Sequence, residues 1–236
     1  VSEPPNLLKP ILPGPGATDY ERYLRTDELL SLQKTADEWV HRDELVFQTV
    51  HQTSEIWLKL AWNEVEESTR LIEAGEYGAA IRLLRRACGC FTYITGALDM
   101  LEHFNPWEFT EVRRLSLGHG SGFDSPGFRE LRRAAKPLGV AFHAARERAG
   151  LTLVEVYTRG REHEDIYQLA ELLTELDERV INWRVRHFKM VQRVIGAGVI
   201  GTQGTPVEVM GRLIHQSFYP ELWDVRNTLT DLNPLP

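Results

Sequence analysis

A chain of 236 residues, 42% hydrophobic and 26% charged, has the volume for one sizeable core and the surface of a soluble globular protein. Its formal net charge of −7, without a basic block or interleaved aromatic and basic residues, argues against a nucleic-acid partner. No apolar run approaches the roughly 18–20 residues of a membrane span, and VSEPPNLLKP lacks the build of a secretory leader, so a cytoplasmic protein with no membrane partner is expected.

Residues 1–17 contain PP and PGPG, the composition of an extended N-terminal arm; residues 18–236 are expected to form a single all-helical domain. TDYERYLRTDELLSLQK is helix-forming, and Tyr20 and Tyr23, three apart, share a face. A long helix follows from about Asp43 to Glu73. Its stripe of Phe47, His51, Ser54, Leu58, Ala61, Val65, Ser68 and Ile72 alternates steps of four and three, so His51 falls on the inner face. Glu55 lies one turn beyond His51, but a metal pair of this kind needs a second His–Glu set, and none is near. Trp57 and Trp62 add flat apolar surface beside it.

GEYGAA marks a short connection to a helix over Ala80–Phe104, striped with Leu84, Cys88, Phe91, Thr95, Leu98 and Leu101. Cys88 and Cys90 are two apart on a helix, point to different faces and suit reduced thiols better than a disulfide. Asn105–Pro106 signals a helix start, and GHGSGFDSPG, with four glycines, is the least regular interior stretch and the best candidate for a binding loop. Another helical run covers Phe128–Ala149.

The most regular pattern is Asp165–Gly196. Ile166, Leu169, Leu173, Leu176, Val180, Trp183, Met190 and Val194 form one stripe, and His187 occupies the slot between Trp183 and Met190. Taken alone, an imidazole in such a slot is more often a hydrogen-bonded core residue than a ligand. GAGVIGTQGTP cannot continue the helix and must turn back, and Val207–Arg226 reads as one more helix with an aromatic end, HQSFYPELWDVR. With no alternating strand pattern and no repeat, the fold class is all-α. Two long helices each turn one histidine inward, and two glycine-rich loops are available to cover them. That arrangement suits a planar cofactor held between helices, one histidine on iron and the other opposite.

Six motifs, in order, resemble those of the tryptophan 2,3-dioxygenase family of haem-dependent aromatic oxygenases. They are YxxYL at Tyr20–Leu24, FxxxHQxxExWxK at Phe47–Lys59, PxEFxxxR at Pro106–Arg113, SGFxSxxFR at Ser121–Arg129, WRxxHxxMVxRxxG at Trp183–Gly196 and GT at Gly201–Thr202. The resemblance implies a helical bundle enclosing haem b between its long helices. His187 would be the axial iron ligand, and Trp57, Trp183 and Ser121 would contact the cofactor. His51 would be the catalytic distal residue, close enough to accept or share a substrate indole N–H, with Phe47 and Phe109 walling the ring. Arg113 would take the carboxylate by a two-pronged bond, and Ser121, Gly122 and Thr202 would complete the substrate site. Tyr20 and Tyr23 would close it from a neighbouring subunit, implying a homo-oligomer, commonly a tetramer, in which the N-terminal arm is exchanged.

The implied reaction adds both atoms of O2 across the indole C2–C3 bond of L-tryptophan or a close derivative, giving N-formylkynurenine, the chemistry of the kynurenine pathway. Two alternatives accompany it: a relative in secondary metabolism that inserts one oxygen to give a 2-oxindole, and a haem- or indole-binding helical protein without turnover. The chain departs from the family pattern at Val112, where an aromatic residue is usual, and in GHGSG, which brings an extra His119. Gln203 replaces a glycine, and the chain is short between Ala144 and Asp165. These departures bear on the preferred substrate and on the fate of the oxygen atoms.

Overall fold

The structure, a computed structural model, describes residues 9–115, 117–118, 120–201 and 203–234. Four long helices carry it: α3 (Asp43–Glu73), α4 (Tyr77–Leu101), α6 (Pro126–Arg148) and α8 (Glu164–Ile195). Shorter ones join or cap them: α1 (Asp19–Leu24), α2 (Thr26–Leu30), α5 (Pro106–Leu115), α7 (Leu153–Thr158), α9 (Glu208–Leu213) and α10 (Pro220–Leu232). Among the described residues there is no sheet, only an isolated antiparallel bridge between Ile200 and Pro206, and no helix is long and apolar enough to cross a membrane.

The stripes bury as their spacing requires. Leu58, Ala61, Val65 and Ile72 of α3 meet Leu84, Cys88 and Phe91 of α4, Leu131 and Leu138 of α6, and Leu169, Leu173 and Leu176 of α8 in one cluster. A smaller cluster of Val50, Leu98, Leu101, Phe109, Val112, Met190 and Val194 closes one end of the bundle. Both cysteines are buried and unpaired, and burial pushes the Cys88 thiol up to about 12 and the Cys90 thiol to about 11.

Three expectations need correction. Residues 18–34 form two short helices rather than one, because Arg25 sits in the left-handed region at φ 53° and interrupts the ladder. Neither helix buries a residue, so no packing enforces a continuous rod. The run after Ala149 contains α7, set by a Thr152–Glu155 capping box inside a stretch too short to show a period. The C-terminal run is two helices, not one. The buried carboxylate of Asp177 on α8 accepts the N–H groups of Phe218 (2.6 Å) and Tyr219 (2.9 Å) and the indole N–H of Trp223 (3.3 Å), which fixes a non-helical strap before Pro220.

Candidate active site

The second cluster surrounds a cavity of about 390 Å³. Helix α8 supplies Trp183, His187, Met190 and Val194 to its wall, α3 supplies Phe47 and His51, and α5 supplies Phe109 and Arg113. The first glycine-rich loop contributes Gly120–Phe123, the second contributes Gly201, Gln203 and Thr205, and the strap contributes Phe218. The two inward histidines of α3 and α8 therefore border one space.

His187 keeps company that does not satisfy it. Trp183 lies flat against the imidazole at 4.7 Å and 9°, and Phe128 backs Trp183 at 4.2 Å. Neither ring nitrogen has a hydrogen-bond partner among the described residues, so His187 is not the satisfied core histidine that its slot alone suggested. Burial first, and the neighbouring His51 second, hold its pKa down to about 4. The ring is neutral at physiological pH, with a nitrogen lone pair free to coordinate a metal.

His51 is fixed differently. Its Nδ1 lies 2.7 Å from the Phe47 carbonyl, which can only accept, so Nδ1 carries the proton and Nε2 presents a lone pair. The Phe47 ring stacks on the imidazole at 4.0 Å, and desolvation by the surrounding atoms lowers the pKa of His51 although part of the residue stays exposed. Phe109 stands 5.9 Å from Phe47 and 5.0 Å from Phe104, extending the aromatic wall. Glu55 faces elsewhere: it accepts from Ser125 Oγ (2.5 Å) and the Gly127 N–H (2.8 Å), tying the start of α6 to α3.

Arg113 donates one guanidinium N–H to the Ile200 carbonyl at 2.5 Å. Four of its five donors remain, enough for a two-pronged bond to a carboxylate. Arg184, three residues before His187 on α8, and Arg132 on α6 also line the cavity. Arg184 donates to the Leu213 and Gln216 carbonyls, which bring no charge, and burial followed by the positive Arg132 lowers its pKa. Arg132 has no ion-pair or hydrogen-bond partner among the described residues. Two guanidiniums beside the cavity, neither held in an ion pair among the described residues though Asp177 lies near Arg184, suit a ligand carrying carboxylates.

Trp183, Ser121, Gly122, Phe47, Phe109 and Arg113 all border the cavity, and Ser121 also caps a 3-10 turn at Gly122–Asp124 by accepting the Phe123 N–H. Trp57 does not border it. Six residues beyond His51, it lies about 240° around the helix, where it stacks on Tyr93 at 4.5 Å. Tyr20 and Tyr23 are 69% and 78% exposed and do not line this cavity. Thr202 and His119 lie outside the described residues. Sequence reasoning missed Phe128, Arg132, Arg184 and Gln203 as cavity residues; Phe128 and Arg184 carried a signal, being motif residues, and Arg184 also in its i−3 spacing from His187.

His41, Asp43 and Glu108 form the one cluster of potential metal-ligating side chains found among the described residues. The Asp43 N–H donates to His41 Nδ1, and the opposite ring nitrogen faces Glu108 at 3.5 Å. The Asp43 carboxylate lies 3.7 Å from that same Nδ1, so the cluster links the start of α3 to α5 through the two faces of one ring.

The family model for tryptophan 2,3-dioxygenase matches residues 13–141 and 138–229. Among curated proteins, the chain is 32% identical to the tryptophan 2,3-dioxygenase of Caulobacter vibrioides, with 89% of this chain and 98% of that protein covered. It is 30% identical to the enzymes of the same name from Bacillus thuringiensis (89% and 92% covered) and Myxococcus xanthus (93% and 92%). With a family match running over nearly the whole length and relatives covered almost end to end, the chain belongs to the tryptophan 2,3-dioxygenase family.

Proposed function

We propose that the protein is a haem-dependent oxygenase that adds both atoms of O2 across the indole C2–C3 bond of L-tryptophan, or of a close derivative, to give N-formylkynurenine. The observation that carries the proposal is the pair of neutral imidazoles bordering one apolar cavity, one of them, His187, with both nitrogens unpartnered among the described residues.

The residues present fit haem b. His187 would hold the iron, the Trp183 indole fixes the imidazole plane, and Arg132 and Arg184 would meet the propionates. Bound haem supplies the redox-active iron for oxygen chemistry that no side chain here offers. Around it, the protein's own groups bind and orient the amino acid. Arg113 takes the carboxylate, Phe47 and Phe109 pack the indole, and His51 Nε2 accepts the indole N–H, fixing which ring edge is presented. The aromatic wall keeps water from the reacting carbons. Thr202 would meet the substrate ammonium or carboxylate, and Tyr20 and Tyr23, exposed on their own chain, would complete the pocket of a neighbouring subunit in a homo-oligomer, commonly a tetramer.

Haem reconstitution followed by product mass spectrometry with tryptophan tests the proposal. A Soret band and a product heavier by two oxygens support it. A gain of one oxygen overturns the dioxygenase reading in favour of the 2-oxindole alternative, and the absence of a Soret band overturns both.

A further inference from the structure

Helix α8 is held unevenly along its length. Nine of its residues are buried between Ile166 and Val180, but from Ile181 to Ile195 only Met190 and Val194 are. That second stretch carries His187 and borders the cavity, so apolar packing secures it on one side alone. Trp183 orients the imidazole plane, yet it belongs to the same helix and cannot fix where the helix itself sits.

A polar grip from α4 supplies that constraint. Arg186 and Arg193, seven apart, share a face of α8 about 100° round from His187. Both reach the carboxylate of Glu102, the C-terminal cap of α4: Arg186 donates to Oε1, and Arg193 donates to Oε2 at 3.0 Å. The other arm of Arg186 donates to Asp99 Oδ1 at 2.6 Å. The Glu102 side chain is 15% exposed, against 64% for Asp99 and 65% for Arg193, so its bond to Arg186 is the least screened of the three. Helix α4 itself gains nothing from this charge, because a carboxylate at a helix C-terminus opposes the helix dipole. The two guanidiniums that offset it both come from α8, one on either side of His187 in sequence.

We infer that Glu102 is a positioning residue for the iron ligand: through Arg186 and Arg193 it fixes the depth and tilt at which α8 presents His187 to the cavity. Glu102 does not border the cavity, so it acts through the helix and not on haem or substrate directly. The inference rests on the reading of His187 as the haem ligand.

The test compares variants of the haem-loaded full chain. Glu102→Gln keeps the size of the side chain but removes its charge and one of its two acceptors. The iron–histidine stretch of the ferrous protein, read by resonance Raman, should move to lower frequency. Haem transfer to an excess of apoglobin should quicken about fivefold, the order that one net hydrogen bond supplies. Arg186→Lys, which retains the charge but cannot span both carboxylates, should shift the stretch the same way, and it decides the matter if Glu102→Gln does not fold. Asp99→Asn breaks only the exposed arm of Arg186 and should leave the stretch at its wild-type frequency. An unchanged stretch in Glu102→Gln overturns the inference even if the melting temperature falls, since a fall alone marks a merely structural contact. An equal shift in Asp99→Asn assigns the effect to surface charge and overturns it as well. A wild-type haem protein with no iron–histidine stretch overturns the reading of His187 together with the inference, whereas a normal stretch that ignores Glu102 overturns the inference alone.

Discussion

Gly127 is where the frame of the site is least forgiving, and Gly127→Ala tests how that frame is held. A Cβ there would lie 2.6 Å from Leu58 Cβ and 2.7 Å from Glu55 Oε2. Carbon atoms pack at about 3.5–4.0 Å, so the start of α6 must retreat by roughly 1 Å. Leu58 cannot give way, because its Cβ is fixed to the backbone of α3 and the side chain is fully buried. Overpacking of this kind costs about 1–3 kcal/mol. The retreat also stretches the Gly127 and Ser125 hydrogen bonds to the Glu55 carboxylate, bonds of a class worth about 1.5–3 kcal/mol each. A combined loss near 4 kcal/mol lowers Tm by about 8–16 °C in a chain of this size. Gly96→Ala is the control, since a Cβ on that α4 glycine meets nothing within 4 Å. It should gain about 0.5–1 kcal/mol from helix propensity. Thermal unfolding followed by far-UV circular dichroism compares the two. A Gly127→Ala protein melting within 2 °C of wild type (about 1 kcal/mol) would refute the claim that α6 is seated on α3 through this glycine.

His187→Ala should abolish stable haem binding, read from the Soret band after reconstitution; a normal spectrum would mean another residue holds the iron. Arg113→Ala should weaken tryptophan binding roughly 10- to 100-fold, the weight of charge-assisted bonds, with haem uptake retained; unchanged affinity in a spectral titration would remove Arg113 from the substrate site. Cys88 and Cys90, with thiol pKa values pushed up to about 12 and 11, should resist a disulfide reagent at pH 8 until the chain is unfolded, and fast reaction of the native protein would contradict their burial. Burial raises the Asp177 pKa above the usual carboxylate value despite its three donors. Its native state therefore holds a proton that the unfolded chain releases, and the stability advantage of wild type over Asp177→Asn should shrink as pH rises above about 4. Urea midpoints at several pH values measure it, and an advantage that grows with pH would show that the donors outweigh burial.

Much of the frame was legible because it is periodic. The stripe from Ile166 to Val194 predicted α8 to within a residue at each end, and it flagged His187 because an imidazole interrupts an otherwise apolar series. His51 was found the same way on α3. Trp57 is the converse case: its motif suggested a cofactor contact, while its angular position on α3 turns it away from His51 and onto Tyr93. Arg132 could not be found, since an arginine among arginines on an exposed face carries no mark of what lies opposite. The strap at 214–219 was equally hidden. It depends on Asp177, whose partners lie about forty residues away, and a single acid inside a stripe does not reveal what it accepts.

That strap explains why one helix can organise two sides of the cavity. A long helix bearing a lone ligand would leave the opposite wall to loops, and loops alone hold position poorly. Here α8 carries His187 and also the two charged residues that fasten the strap: Asp177 gathers the Phe218 and Tyr219 N–H groups, and Arg184 gathers the Leu213 and Gln216 carbonyls. Donors and acceptors of an irregular backbone segment are thus satisfied from a single rigid element, which holds the segment in place and seats its one buried residue, Tyr219. Tyr219 completes the attachment by donating its hydroxyl to the Ala135 carbonyl of α6 at 3.0 Å, against Gly139, where a larger residue would crowd the ring. Phe218 is then presented to the cavity in fixed register with Trp183 and His187. The wall that α8 fastens to itself should vary little with ligand.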